Sequence, residues 1–167
     1  RWRSTPGASY RQVLQTPDTS LYGTIAYPSG RFTTLAMVRP LLDVGTTLVG
    51  VVTSGANSGW QSTTLKIGNV TDARCFGYTN ITSNGPVAAD ELYTIGDYYI
   101  VGFTSDVVAG VQHLYVNGVK QSGVGSRTQA PHTGFGGYVI GQAGVAYAYE
   151  LYGSLMFNEF FDERQMA

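Results

Sequence analysis

A chain of 167 residues is the size of one domain and can bury most of its apolar surface around a single core, which argues against two domains. Hydrophobic residues make up 43% and charged residues only 13%, well below the roughly 25% charged usual in soluble domains, so the surface is expected to be polar but weakly charged. A formal net charge of −1 carries no basic footprint for nucleic acid or an anionic membrane, and both are excluded as expected partners.

The first 20 residues read as an N-terminal arm, with residues 21–167 as the folded domain. Arg1, Trp2, Arg3 and Arg11 give the arm its basic character. It is expected either to lie solvated or to dock on a neighbouring subunit, and these four residues are the candidate subunit contacts. Because the chain opens on Arg rather than Met, it is expected to be a processed form or a piece of a longer protein.

Beyond the arm, short runs rich in β-branched and aromatic residues alternate with Gly, Asn, Asp, Ser and Pro clusters, and helical periodicity is nearly absent until the last dozen positions. Strands are predicted at Leu21–Ala26, Phe32–Arg39, Thr47–Thr53, Thr63–Ile67, Ala73–Tyr78, Tyr98–Ser105, Gln112–Val116, Tyr138–Gln142 and Tyr149–Phe157. Asn117-Gly118, inside HLYVNGVKQ, supplies the two central residues of positive φ that a type I′ hairpin needs. Alternation then puts Leu114 and Val116 on one face and His113 and Tyr115 on the other. Polar loops are expected at Ser54–Ser62, which carries Trp60, and at Ser122–Phe135.

Four segments in this order resemble the laminin G-like branch of the concanavalin A-like lectin and glucanase superfamily. FTTLAMVRP (Phe32–Pro40) is similar to an early family strand, with Met37 where Trp is common. YYIVGFTSDVVAGVQHLYVNGVKQSG (Tyr98–Gly123) resembles the central hairpin, with Tyr98 or Tyr99 at the place of a family Trp. GYVIGQ (Gly137–Gln142) and YELYGSLMFNEFFDERQM (Tyr149–Met166) resemble the strand that follows and the closing strand with its short helix. The resemblance implies an all-β fold, a two-sheet antiparallel jelly-roll sandwich. The family includes lectins, adhesion modules, enzyme accessory domains and virion proteins, so the fold by itself does not choose among them.

Enzymatic chemistry finds little support in the residues. A glycosidase of this superfamily commonly presents Glu-x-Asp-x-x-Glu from one strand, so that its carboxylates converge on the bond to be cut. That spacing is absent; Glu159, Asp162 and Glu163 read as a solvated chain end, and Asp90, Glu91 and Asp97 as turn formers. No catalytic residues are assigned, and the chain is expected not to catalyse. Cys75 is the lone cysteine, which excludes an internal disulfide and Cys-rich zinc sites. Asp43, Asp72, Asp97 and Asp106 are scattered singly. They form no calcium loop, so no cofactor or metal is predicted, and a calcium ion held between separate loops stays open as an alternative.

Aromatic residues are the more suggestive class, because the C–H face of a sugar stacks on Trp or Tyr while their polar tips reach hydroxyls. Trp60, Tyr78 beside Asn80, and Tyr93 are the candidate ligand-binding residues, although an all-β core also consumes aromatics. The expected role is a structural, decoration or fibre module on an extracellular or virion surface, contacting other subunits of an oligomeric assembly and also able to bind glycans. The alternative is a lectin-like carbohydrate-binding or adhesion domain of a secreted or cell-surface protein.

Overall fold

The computed structural model describes residues 2–3, 14–15, 31–41, 46–52, 62–69, 72–79, 87–106, 109–123, 137–140, 149–157 and 159–167. These contain β1 (Trp2–Arg3), β2 (Leu14–Gln15), β3 (Arg31–Pro40), β4 (Thr46–Val52), β5 (Ser62–Asn69), β6 (Asp72–Thr79), β7 (Val87–Leu92), β8 (Tyr99–Asp106), β9 (Val111–Val116), β10 (Val119–Lys120), β11 (Gly137–Ile140), β12 (Tyr149–Phe157) and the one-turn helix α1 (Glu163–Met166). The strands form two antiparallel sheets, in the orders β1-β12-β3-β8-β9-β10 and β2-β11-β4-β5-β6-β7. The fold is an all-β, two-sheet jelly-roll sandwich.

Period-two alternation builds the core between the sheets. Phe32, Ala36 and Val38 of β3, Val101 and Phe103 of β8 and Leu114 of β9 point inward from the first sheet. They meet Leu65 of β5, Cys75 of β6 and Val87 and Ala89 of β7 from the second. The two layers come close where the Phe103 ring lies against the bare backbone of Gly77 in β6, filling the space a Cβ would take.

Asn117 and Gly118 have φ of 51° and 79°, the pair of positive values required by a type I′ turn between β9 and β10. Asn117 also ties the hairpin to β8. Its backbone N–H donates to the Ile100 carbonyl at 2.8 Å, and its Oδ1 accepts from the Ile100 N–H at 2.9 Å. Leu114 is buried on the inner face and Val116 packs partly against it, as alternation predicts.

The outer face of the first sheet is covered at one end by the C-terminal segment, so Tyr115 is buried there as well, at 2% exposure. Thr33 Oγ1 donates to the Glu159 carbonyl at 2.8 Å, and the Phe161 N–H donates to the hydroxyl oxygens of Thr33 and Thr104 at 3.0 and 3.1 Å. Phe161 stacks near Phe157 with ring centroids 4.7 Å apart, and Phe160 meets His113 at 6.0 Å. Asp162 then caps α1 in a capping box with Gln165, and the Met166 side chain settles over Gly102.

Two stretches differ from the sequence reading, each for a physical reason. Asp90 and Glu91 lie in β7 rather than in a turn; β7 is an edge strand, where Val87 and Ala89 face inward and acidic side chains can meet solvent. Asp90 accepts from the Ser122 N–H at 2.9 Å, which clasps β7 to the segment after β10. Within the expected arm, Trp2–Arg3 pairs with Leu151 and Glu150, and Leu14–Gln15 pairs with Ile140 and Val139. Both stretches are edge strands, each paired with a single neighbour among the described residues. The expected strand Leu21–Ala26 lies outside the described residues.

Candidate functional site

The most distinctive polar and aromatic cluster sits on the outer face of the first sheet, where β3 ends and β8 and β12 begin. Antiparallel pairing sets Glu150 opposite Arg39 and Tyr99 opposite Val38, which leaves Tyr98 just beyond the ladder and beside Arg39. A register shift between Leu151 and Gly153 makes Tyr152 an extra residue in β12. A bulge of this kind re-aims side chains, and here Tyr152 comes out on the same face as Glu150.

The cluster is layered. Glu150 is 0% exposed, whereas Tyr98 is 51% and Tyr152 36% exposed, so a carboxylate lies under two open phenol rings. The Tyr152 hydroxyl donates to Glu150 Oε2 at 2.6 Å, and Arg39 Nη1 stands 3.6 Å from the same oxygen. A buried carboxylate without such partners would be strongly disfavoured; a charge-assisted hydrogen bond and a guanidinium together make it tolerable.

Arg39 is held from three sides. Its Nε donates to the Gly96 carbonyl at 2.7 Å, its guanidinium carbon lies 5.4 Å from the Tyr98 ring centre, and Glu150 flanks it from β12. Gly96 has φ of 91°, in the left-handed region that favours glycine, and its N–H donates to the Pro40 carbonyl at 2.8 Å. That turn brings the Gly96 carbonyl onto Arg39. The two tyrosine rings meet at 5.3 Å between centroids with an angle of 58°, and their hydroxyls are 3.4 Å apart. The arrangement offers angled aromatic faces, adjacent hydroxyls and a partly exposed guanidinium, groups suited to a polyhydroxylated ligand with C–H faces.

Of the residues proposed from sequence as ligand contacts, only Tyr93 has a described side chain, and it lies outside this cluster. Trp60 and Asn80 fall outside the described residues. Tyr78 is in β6, its backbone paired with Thr64 of β5. Tyr93 must be withdrawn as a platform: it is 7% exposed and belongs to the core cluster, because the chain leaving edge strand β7 turns its ring inward. Of the proposed subunit contacts, Arg1 and Arg11 fall outside the described residues, while Trp2 and Arg3 pair in β1 against Leu151 and Glu150. Tyr98, Tyr152, Arg39 and Glu150 were missed as a group. Part of the signal was present, since Glu150 and Tyr152 alternate in YELY and Tyr98 or Tyr99 stands where the resembled family has a Trp; their convergence on Arg39 depends on cross-strand register.

Among the four scattered aspartates, Asp106 is paired with Arg31 at 2.7 Å, and Asp43 is outside the described residues. Among the described residues, no group of three or more His, Cys, Asp or Glu is placed to hold a metal ion. Among the same residues, no helix is long and apolar enough to cross a membrane.

No protein-family model matches this chain, and a search of curated proteins finds no match. Solved structures do resemble it. The native heptameric SAP-like pentraxin from Limulus polyphemus is 16% identical, with a TM-score of 0.72 over 98% of this chain and 78% of that one. Trypanosoma rangeli sialidase is 16% identical, with a TM-score of 0.61 over 83% of this chain and 22% of that one. The chain thus spans less than a quarter of the sialidase's length. At these identities the likeness shows the fold alone, a two-sheet jelly-roll sandwich. It also corrects one expectation: sialidase chains contain this fold, so the earlier exclusion of catalysis is overturned.

Proposed function

We propose that this chain is a glycan-binding domain of the laminin G-like kind, displayed on an extracellular or virion surface, with Tyr98 and Tyr152 as its sugar platform. The observation that carries this reading is the pair of exposed tyrosine rings fixed above the Arg39–Glu150 pair. A platform needs rigid aromatic faces, and here each ring is anchored. Tyr152 is held through its hydroxyl to a buried carboxylate, and Tyr98 is held against a guanidinium that is itself bonded to backbone. Preorganisation of this kind lowers the entropy lost on binding.

The fold neighbours add support, since one Trypanosoma rangeli sialidase structure holds sialic acid and the Limulus pentraxin is heptameric. An oligomer of this chain would array its platforms for multivalent capture, with any particle or fibre subunits as further partners.

The test is a glycan array followed by titration of the best binder against Tyr98→Ala, Tyr152→Ala and Tyr152→Phe. Each Ala variant is expected to weaken binding roughly two- to tenfold, the range of a lost aromatic contact. Tyr152→Phe keeps the ring and should retain more affinity than Tyr152→Ala. Binding to no glycan, or binding indifferent to both Ala variants, would reject this site.

A further inference from the structure

The outer face beyond the tyrosines changes character within one strand repeat. Cross-strand pairing arranges the outward residues of β12, β3 and β8 in rows. The row of Glu150 and Arg39 is followed by Gly153, Met37 and Ile100, and then by Leu155, Leu35 and Gly102. Successive rows are two residues, or about 7 Å, apart.

Neither of the last two rows contains a charged side chain. Met37 is 41%, Ile100 53% and Leu155 59% exposed. A Cβ built on Gly153 would meet nothing within 4 Å, so between Tyr152 and Leu155 the sheet lies open. The far end is closed, because the Met166 and Leu35 side chains crowd the space above Gly102. The result is a short aliphatic lane that begins at the sugar platform and stops at the C-terminal segment. Exposed, contiguous apolar surface of this kind marks a binding face.

Resting on the sugar-platform reading, we infer that the ligand is an amphiphilic glycoside whose sugar stacks on Tyr98 and Tyr152 while its alkyl aglycone lies along Gly153, Met37 and Ile100 toward Leu155. Continuity selects this occupant, since the lane opens directly beside the platform, where the glycosidic substituent of a stacked sugar would emerge. Its lining is aliphatic, which suits a flexible alkyl chain held by dispersion and desolvation and offers no flat aromatic face to an aryl group.

The experiment compares methyl and octyl glycosides of glucose, galactose, mannose and N-acetylglucosamine by calorimetry, below micelle-forming concentrations, with octanol as control. The octyl form of the bound sugar is expected to bind about tenfold tighter than its methyl form, the gain from burying roughly two methylene groups. In Met37→Thr/Ile100→Thr, and separately in Leu155→Thr, the octyl-to-methyl ratio should fall toward one; threonine keeps strand propensity at these exposed positions. An octyl-to-methyl ratio near one in the wild type overturns the aglycone lane and leaves the platform standing. No binding of any glycoside overturns both. Octanol binding as tightly as the octyl glycosides overturns the lane as part of a sugar site, as does a dimer in sedimentation that Ile100→Thr dissociates, which would make a second copy the occupant.

Discussion

Replacing Gly77 by Ala tests whether the spacing of the two sheets is set by the Phe103 ring. A Cβ at Gly77 would meet three Phe103 ring carbons, each nearer than 3.0 Å, and the ring is 0% exposed with Phe32 at 6.1 Å on one side, so it has little room to swing. Overpacking of a tight core costs about 1–3 kcal/mol. Three contacts under 3.0 Å put this site in the upper part of that range, about 2–3 kcal/mol; the smaller unfolded-state entropy of alanine returns about 0.4–1 kcal/mol, for a net loss of about 1–2.5 kcal/mol. In a domain of this size that lowers Tm by roughly 2–10 °C. Phe103→Leu removes the ring and leaves space that the new methyl can enter. The double variant should therefore be less destabilised than the sum of the two single changes, by about 1 kcal/mol or more. Urea unfolding with linear extrapolation measures all three. Strict additivity, or a neutral Gly77→Ala, would refute the idea that this contact separates the sheets.

Two further predictions concern ionisable groups. Burial, reinforced by nearby Lys120 and opposed by Glu163, holds the His113 imidazole below its usual value of 6.5, so the unfolded chain takes up the proton more readily than the folded one. The stability from His113 is therefore present in full above 6.5 and declines as pH falls below it; His113→Gln should flatten that slope, and an unchanged slope would refute the assignment. Burial also pushes the Cys75 thiol up to about 12, so a thiol reagent near about pH 8 should label the urea-unfolded chain quickly and the native chain hardly at all; fast native labelling would show that Cys75 is not held in the core.

Much of the sandwich was legible because its strands obey a two-residue period with one apolar face. Tyr149–Phe157 came out with its predicted bounds, and the Asn117-Gly118 turn formed where backbone chemistry requires it. β7 was hidden because only Val87 and Ala89 mark its inner face before Asp90 and Glu91 intervene. The candidate site was legible only in fragments. Tyr98, Arg39 and Glu150 are distant in sequence, and nothing local in LAMVRP or YELYG says that Arg39 will face Glu150; register across β3, β8 and β12 decides it. Tyr93 failed as a platform for the converse reason, since burial of an aromatic just past an edge strand depends on what packs above it.

The outer face of the first sheet distributes polarity in the reverse of the usual order. Thr33 and Thr104 are 0% exposed there, beneath the C-terminal segment, and their hydroxyls are satisfied by the Phe161 N–H. Met37, Ile100 and Leu155, which gain most from leaving water, stand open beyond the end of that cover. Two glycines mark the boundary: Gly102 accepts the Met166 side chain over its bare backbone, and Gly153 has nothing above it. If cover alone governed the face, the segment would stabilise the fold more by lying over the aliphatic rows, at roughly 25 cal/mol for each Å² of apolar surface removed from water. It is instead bonded through backbone to the threonines. The aliphatic rows are thereby left free beside Tyr98 and Tyr152, where a bound ligand can recover the burial that the chain forgoes.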